Sequence, residues 1–267
     1  MTLRTLLGSV LVGLLLMTVS VALFWTPYDP LAIDLRAPLA APSWAHWLGT
    51  DEFGRDVLSR AATGARISVG LALATVVCSV SVGALIGATA GFLRGWTDRI
   101  IMTVNDALLA FPGMLLALGL IAVLGAGKST IVLALALAYL PSVVRVVRGV
   151  VLSIREREYI EASRVMGNSE AYSMFRHVVP NGFPQIAVLA TSMFGWVVLS
   201  ESALSFLGVG IPAPAPTWGN MLASARPYLD GASWLGLVPG ICIAGTLLGV
   251  NFLGDALRDR FDPRRVA

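Results

Sequence analysis

The chain has 267 residues, of which 56% are hydrophobic and only 13% charged. Soluble domains carry about a quarter charged residues, so this chain lacks the charge to cover a water-facing surface. The composition excludes collagen-like, disordered, disulfide-rich and nucleic-acid-binding proteins and predicts an integral membrane protein. Cys78 and Cys242 each lie within an apolar run, so neither a disulfide framework nor a metal site is expected.

Six apolar runs are long enough to cross a bilayer as helices, which takes about 20 residues each. The first, at about 6–25, exceeds the roughly 7 to 15 apolar residues of a secretion signal and lacks a clear cleavage site, so we predict an uncleaved span. The second, at 67–93, contains no charged residue. The other four are predicted at about 100–124, 130–147, 185–207 and 234–253.

Three of these runs contain a proline, namely Pro112, Pro141 and Pro239. Membrane helices tolerate proline because neighbouring helices can satisfy the carbonyl groups that it leaves unpaired. We therefore expect each of the three runs to continue as one helix through its proline.

The distribution of basic residues predicts the orientation of the chain, because Lys and Arg concentrate in cytoplasmic loops. With a cytoplasmic N-terminus, the outer segments hold few basic residues: Arg36, Arg55, Arg60, Arg66, Lys128 and Arg226. The inner segments hold the majority: Arg4, Arg94, Arg99, Arg145, Arg148, Arg155, Arg157, Arg164, Arg176, Arg258, Arg260, Arg264 and Arg265. We predict that both termini and the segment 153–182 are cytoplasmic, and that 26–66 and 208–233 are outside.

Two acidic residues within the predicted spans are candidate pathway or gate residues. A charge at the bilayer centre costs roughly 2.5 to 3.5 kcal/mol on insertion scales, so Asp106 and Glu201 should face protein or a water-filled path. Asp106 lies toward the inner side, as does Arg145, so a structural ion pair is the alternative for it. Glu201 lies in the outer half of the fifth span.

Gly83, Gly87 and Gly91 form two consecutive GxxxG steps on one face of the second span. Small residues let helix backbones approach closely in lipid. The pattern is compatible both with packing inside this chain and with a subunit interface.

The sequence GAGKST at 125–130 invites a nucleotide-binding interpretation. A phosphate-binding loop requires GxxxxGK[ST] between a strand and a helix, whereas Ala122 occupies the first glycine position and both flanks are predicted spans. We predict a short turn between helices and no ATPase site in this chain.

The segment 153–182 has the signals of two short helices. Ser153 and Glu156 fit a capping box for the first, and Gly167 fits its C-terminal stop. The turn after Gly167 leads into the second helix.

Asn168 or Ser169 can cap this second helix, which is predicted to run to about Val179 and to end at Pro180. The pair is typical of a docking element at the membrane surface, although a passive amphipathic interfacial helix would have a similar pattern.

The spacing of the segment resembles the EAA loop of ABC-importer permeases, the helix pair that docks on the ATPase subunits. The pattern EAxxxxG at 161–167 is followed after nine residues by HVVP, and Ser163, His177 and Val179 depart from the family pattern by small or common exchanges. The ATPase-coupling residues that the resemblance implies are Glu161, Ala162, Ser163, Gly167 and Pro180.

A second resemblance is more specific. HWLGTDEFGRDVLSR at 46–60, followed by GARIS, is similar to the signature of the second permease subunit of dipeptide, oligopeptide and nickel importers. ESALSFLGVGIP at 201–212, PTWGNML at 216–222 and NFLGDALRDRFDPR at 251–264 extend it over nearly the whole chain. The signature residues of the outer segment are Gly49, Thr50, Asp51, Gly54, Arg55 and Asp56.

The resemblance implies an all-α integral membrane protein of six transmembrane helices with a cytoplasmic coupling loop at about 153–182. Residues 1–66 would form the first helix and an extracytoplasmic segment, and 67–267 the permease core. The chain would be a non-enzymatic subunit in the bacterial inner membrane, without catalytic residues or bound cofactor. Its implied partners are a second permease subunit, two cytoplasmic ATPase subunits that hydrolyse ATP, and an extracytoplasmic binding protein.

The motifs are shared by importers of several related substrate classes. Di- or oligopeptides are favoured, with nickel or glutathione as alternatives within the same family. An ion-coupled secondary transporter would use mid-membrane ionisable residues and needs no docking loop. A membrane enzyme would need a motif such as HExxH or GxSxG, which the sequence lacks. Neither of these two classes explains the EAA spacing.

Overall fold

The computed structural model describes residues 3–261, apart from the side chain of Ala171. Arg264, Arg265 and both chain ends, on which part of the orientation and domain predictions rests, lie outside these residues. The regular secondary structure of the described residues is helical, apart from one isolated bridge between Thr50 and Asp56, which confirms the all-α class. Its helices are α1 (Leu3–Phe24), α2 (Val57–Leu93), α3 (Gly95–Leu109), α4 (Gly113–Leu124), α5 (Lys128–Arg155), α6 (Glu158–Val165), α7 (Glu170–Ser173), α8 (Val179–Phe206), α9 (Trp218–Ala225) and α10 (Trp234–Phe261).

Among the described residues, five helical segments are long and apolar enough to cross a membrane. They are α1, α2, α5, α10 and the segment 174–206, in which a π-helical turn (Met174–Val178) leads directly into α8. Pro141 and Pro239 lie inside α5 and α10, as expected. These segments correspond to five of the six predicted spans.

The remaining predicted span, at 100–124, is interrupted. The axes of α3 and α4 differ by 85°, with a break at residues 110–112, so the expectation of one helix through Pro112 is wrong. Proline lacks the N–H that would continue the helical bonding and disfavours the helical conformation of the residue before it. The described residues thus contain five helical segments able to cross a membrane, or six if the bent pair counts as one.

The second span also begins ten residues earlier than predicted. The Asp56 side chain caps α2 by accepting a hydrogen bond from Ser59 N at 2.8 Å, so the helix starts at Val57. Arg60 lies within the first turns of α2, buried near Asp51, and hydropathy therefore did not identify this part as helix.

The three glycines of α2 pack against α5. A methyl group at Gly83 would lie 2.6 Å from Val143 Cγ1, and one at Gly87 would lie 2.6 Å from Val144 O. At Gly91 the nearest atom would be Arg148 O, at 2.9 Å. Packing within the chain, one of the two alternatives for this pattern, is therefore what the glycines provide, and we call this contact the glycine seam.

The other helices surround α2 and α5. The buried core contains residues from α2, α5 and α8, including Ala72, Ile131 and Val197. α1 packs on α10, where Gly249 faces Leu11, and most of α1 is exposed. The domain division at residue 66 stays a prediction.

The bundle has two distinct ends. We call the end with residues 25–56, 125–127 and 207–233 the long-loop side, and the end with Arg94 and residues 156–173 the short-helix side.

We expect Gly87→Ala to lower the free energy of unfolding by about 1 to 3 kcal/mol, because the added methyl group meets the α5 backbone. Gly70→Ala, also on α2, is the matched control, since a methyl group there has no neighbour within 4 Å. The measurement is the thermal midpoint of the purified protein in detergent. Equal midpoints for the two variants would contradict the role of the seam.

Candidate functional site

The predicted outer signature residues form a compact loop on the long-loop side. Asp51 is buried, and its Oδ1 accepts hydrogen bonds from Phe53 N and Arg55 N, both at 2.9 Å. Its Oδ2 accepts from Arg55 Nε at 2.6 Å and lies 3.3 Å from Arg60 Nε. Both oxygens of the Asp51 carboxylate are therefore occupied by contacts within the loop and with the first turns of α2.

Asp56 and Thr50 are also buried and hydrogen-bonded to neighbouring groups. Besides capping α2, Asp56 accepts a hydrogen bond from Ser59 Oγ at 2.7 Å and lies 2.9 Å from His46 Nδ1. Thr50 Oγ1 donates to Ala37 O at 2.6 Å. Its backbone carbonyl accepts from Trp234 Nε1 at 3.3 Å, which ties the loop to α10.

The two signature glycines occur where only glycine fits. Gly49 and Gly54 have φ of +76° and +72°. A methyl group at Gly49 would lie 2.6 Å from Ala40 O, and one at Gly54 would overlap Asp34 O. The geometry accounts for the signature as a folding requirement of the segment before α2.

On the short-helix side, the predicted start of the first short helix is wrong. α5 continues to Arg155, Ser153 Oγ donates to Val150 O within that helix, and Arg157 precedes α6. The apolar face of α5 continues through Ile154, which is buried, so the helix does not stop at Ser153. The predicted stop is confirmed, because Gly167 follows α6 with φ of +82°.

Of the two residues predicted to cap the second short helix, Ser169 is the one that does so. Ser169 Oγ accepts from Tyr172 N at 3.2 Å. The predicted end at Pro180 is wrong, because α7 passes through the π-helical turn into α8, with Pro180 in the first turn of α8. The wider hydrogen-bonding of the π turn immediately precedes the proline, which has no N–H to contribute.

The predicted coupling residues of α6 differ in their exposure. Glu161 and Ala162 are exposed, whereas Ser163 is buried and its Oγ lies 3.1 Å from Ser173 Oγ on α7. Ile160, which the sequence analysis missed, is fully buried and belongs to the core that also includes Val178. The same helix also contains Val165, which is exposed, so the sequence alone does not single out Ile160 as the buried residue.

Glu161 and Glu156 help to line a predominantly basic cavity that sequence reasoning also missed. It has a volume of about 560 Å³ and brings together arginines from separate parts of the chain. The basic residues are Arg94, Arg155, Arg157 and Arg164. Arg155 also donates to Phe92 O, which joins the end of α5 to the end of α2.

Glu201 lies at a junction on the long-loop side of α8. Its side chain is fully buried, and Oε1 accepts from Ser205 Oγ at 2.8 Å. The Ser205 hydroxyl lies 3.4 Å from Thr217 Oγ1, just before α9, and Ser68 of α2 accepts from Trp218 N at 3.3 Å. Glu201 therefore faces other helices of this chain, and its gate role remains a prediction.

Asp106, the other candidate pathway residue, forms an ion pair. Its Oδ1 lies 2.6 Å from Arg145 Nη2, which confirms the alternative predicted for it. The two side chains are 57% and 58% exposed, so the pair lies on an open face of the chain. Asp98, two turns earlier on α3, pairs with Arg148 at 2.5 Å.

The GAGKST segment forms the predicted short turn. It connects α4 to α5, and Lys128 is the first residue of α5. The helix α4 stands where a phosphate-binding loop would have a strand.

This arrangement of membrane-length helices with a short helix pair on one side is that of an ABC-transporter permease. A solved structure of inward-facing MetNI, a methionine ABC transporter, matches with a TM-score of 0.57 over 73% of this chain and 94% of that chain. The sequence identity is 19%, so this likeness concerns the fold.

Sequence comparison identifies the family. The model of the binding-protein-dependent transport system inner membrane component matches residues 83–266. The chain belongs to this family, and it is a multi-pass inner-membrane permease subunit of an ABC importer.

Two relatives cover almost the whole chain. A protein of Brucella suis biovar 1 (strain 1330), named as an inferred peptide permease, is 42% identical over 96% of this chain and 86% of its own length. The glutathione transport system permease protein GsiD of Pectobacterium atrosepticum is 38% identical over 96% and 87%.

We expect Glu201→Gln to retain most transport, because it keeps the size and the oxygen that accepts from Ser205. Glu201→Ala should lose transport or make it leaky, since it removes a buried side chain and leaves hydroxyl groups unpaired. The measurement is uptake of substrate and of competing compounds by cells expressing each variant. If Glu201→Gln abolished uptake of amine-bearing substrates alone, Glu201 would instead contact substrate directly.

Proposed function

We propose that this chain forms one half of the translocation pathway of an importer of di- or oligopeptides. The observation that carries the proposal is the short helix pair α6–α7, which lies on one side of a permease bundle. The names of the two relatives support the substrate class, since glutathione is itself a tripeptide. A second permease subunit would complete the pathway, and a binding protein would deliver substrate to the long-loop side.

The proposed orientation places the short-helix side in the cytoplasm. The basic cavity supports it, because cytoplasmic segments are enriched in Lys and Arg. Both termini would then lie in the cytoplasm.

Energy would enter through α6 and α7. The exposed Glu161 and Ala162 are available to an ATPase subunit, and Ile160 and Ser163 hold the pair to the bundle. Because α7 continues through the π-helical turn into α8, a displacement of the pair is transmitted to the helix that carries Glu201. The ATPase subunits would bind and hydrolyse ATP, and this chain would have neither catalytic residues nor a cofactor.

The proposal is tested by reconstitution. The complex purified through this chain should import a labelled tripeptide into proteoliposomes only with ATP and a loaded binding protein. Uptake without ATP, driven by an ion gradient, would indicate a secondary transporter instead.

Substitutions at Gly167 test the coupling role in the same assay. A non-glycine residue in the left-handed conformation costs roughly 1 to 2 kcal/mol, and a β-branched residue resists it most, whereas Asn adopts it readily. No neighbouring atom lies within 4 Å of a methyl group there, so the backbone alone discriminates. We expect Gly167→Val to lose binding-protein-stimulated ATP hydrolysis and uptake, and Gly167→Asn to keep both. Normal coupling in Gly167→Val would contradict the role.

Labelling of single cysteines tests the orientation. With Cys78 and Cys242 replaced, cysteines at the exposed positions Lys128 and Asp230 should react with an impermeant thiol reagent in spheroplasts, and one at Glu170 should not. Lysed cells serve as the control, in which all three should react. The opposite labelling pattern in intact spheroplasts would reverse the proposed topology.

A further inference from the structure

The helix break between α3 and α4 lies beside a cavity of about 400 Å³. Three hydroxyl-bearing residues from two other helices line it, namely Tyr139 and Ser142 of α5 and Ser200 of α8. The Tyr139 and Ser200 hydroxyl oxygens lie 2.8 Å apart. The remaining walls include Phe111 and Met114, and no charged side chain lines the cavity.

The cavity is level with the middle of a membrane-spanning helix. α5 has 28 residues, and Tyr139 and Ser142 follow its first residue by 11 and 14 positions. At 1.5 Å per residue, each is about 17 to 21 Å from the start of a helix about 42 Å long. The bilayer core is about 30 Å thick, so a crossing α5 carries these hydroxyl groups at its middle depth.

Lipid is an unsuitable covering for this face of the chain. Regular helical hydrogen bonding stops at residues 110–112, and Ala110, Phe111 and Pro112 are exposed. Irregular backbone at membrane depth occurs only where protein or a water-filled cavity covers it. The exposed ion pair of Asp106 with Arg145, three residues after Ser142, adds a second polar feature that lipid would not cover.

We propose that this hydroxyl cavity lies on the translocation pathway and contacts the main-chain amide groups of a passing peptide. The inference rests on the proposed function. Hydroxyl groups both donate and accept hydrogen bonds, as does every peptide amide, and the absence of charge from the lining suits neutral main chain better than a charged terminus. Phe111 and Met114 supply apolar walls that tolerate different side chains.

The first test removes the hydroxyl groups with little change in volume. The double variant Tyr139→Phe, Ser200→Ala should transport a labelled tripeptide about three- to tenfold more slowly, as expected for the loss of one or two hydrogen bonds. Stimulated ATP hydrolysis should persist, because α6 and α7 are unchanged. Unchanged uptake by the double variant would overturn the proposal.

The second test fills the cavity. Ser142→Phe should block uptake, whereas Leu137→Phe, an enlargement on the same helix at an exposed position outside the cavity, should not. Uptake by Ser142→Phe equal to that of the control would contradict the pathway position. Measuring the wild-type complex first separates two failures: no peptide uptake by wild type overturns the proposed function and this inference together, and wild-type uptake with unaffected variants overturns only the inference.

A third measurement identifies what covers the cavity. In a chain with Cys78 and Cys242 replaced, Ser142→Cys should form an adduct with a bromoacetyl-bearing tripeptide during ATP-driven turnover, and Leu137→Cys should not. Mass spectrometry detects the adduct. Oxidative cross-linking of Ser142→Cys to another subunit without any peptide adduct would show that a partner permease fills the cavity, and the proposal would be wrong.

Discussion

The helices α2 and α5 pack closely against each other at the centre of the bundle, and the other helices surround them. In lipid, helices gain no hydrophobic drive for association and must gain packing energy from close approach. Gly83, Gly87 and Gly91 permit this approach, because side chains and backbone of α5 occupy the space that larger residues would need. The seam therefore fixes the two helices to each other over more than two turns.

Both ends of the molecule are attached to this pair of helices. On the long-loop side, Asp56 caps α2, and Trp218 Nε1 donates to Ala61 O at 3.1 Å, which holds α9 against α2. On the short-helix side, Arg155 at the end of α5 donates to Phe92 O of α2. α8 is the other helix that connects the two sides, since it is continuous with α7 and carries Glu201. A movement of α6 and α7 is therefore expected to shift α8 relative to the α2–α5 pair, and both α5 and α8 contribute residues to the hydroxyl cavity.

The sequence predicts those features of this fold that depend on local composition. The spans other than 100–124 are predictable from apolar runs with few charges. The end of α6 at Gly167 is predictable because the helix stop needs the left-handed conformation that glycine adopts readily. The early start of α2 was missed because Asp51 neutralises Arg60 from outside the helix. Local pattern contains no information about such a partner.

Two other differences have a similar origin in backbone hydrogen bonding. Pro112 breaks its span, whereas Pro141 and Pro239 do not, and Pro180 follows a π-helical turn that keeps the chain helical. A proline in or beside an apolar run therefore has three different effects on the helix, and these depend on the packing around it. The hydroxyl cavity was likewise unpredictable, because Ser200 is 61 residues from Tyr139 in the chain.

Because the glycine seam fixes α2 to α5, we expect the two helices to move as one rigid unit during transport. A disulfide across the seam, from Gly83→Cys to Val143→Cys in a chain with Cys78 and Cys242 replaced, tests this expectation. The Cβ position at Gly83 would lie 2.8 Å from Val143 Cβ, within a small adjustment of the roughly 3.5 to 4.5 Å of a disulfide. ATP-driven peptide uptake should continue when the pair is fully oxidised. Loss of uptake on oxidation, restored by reduction, would contradict this expectation.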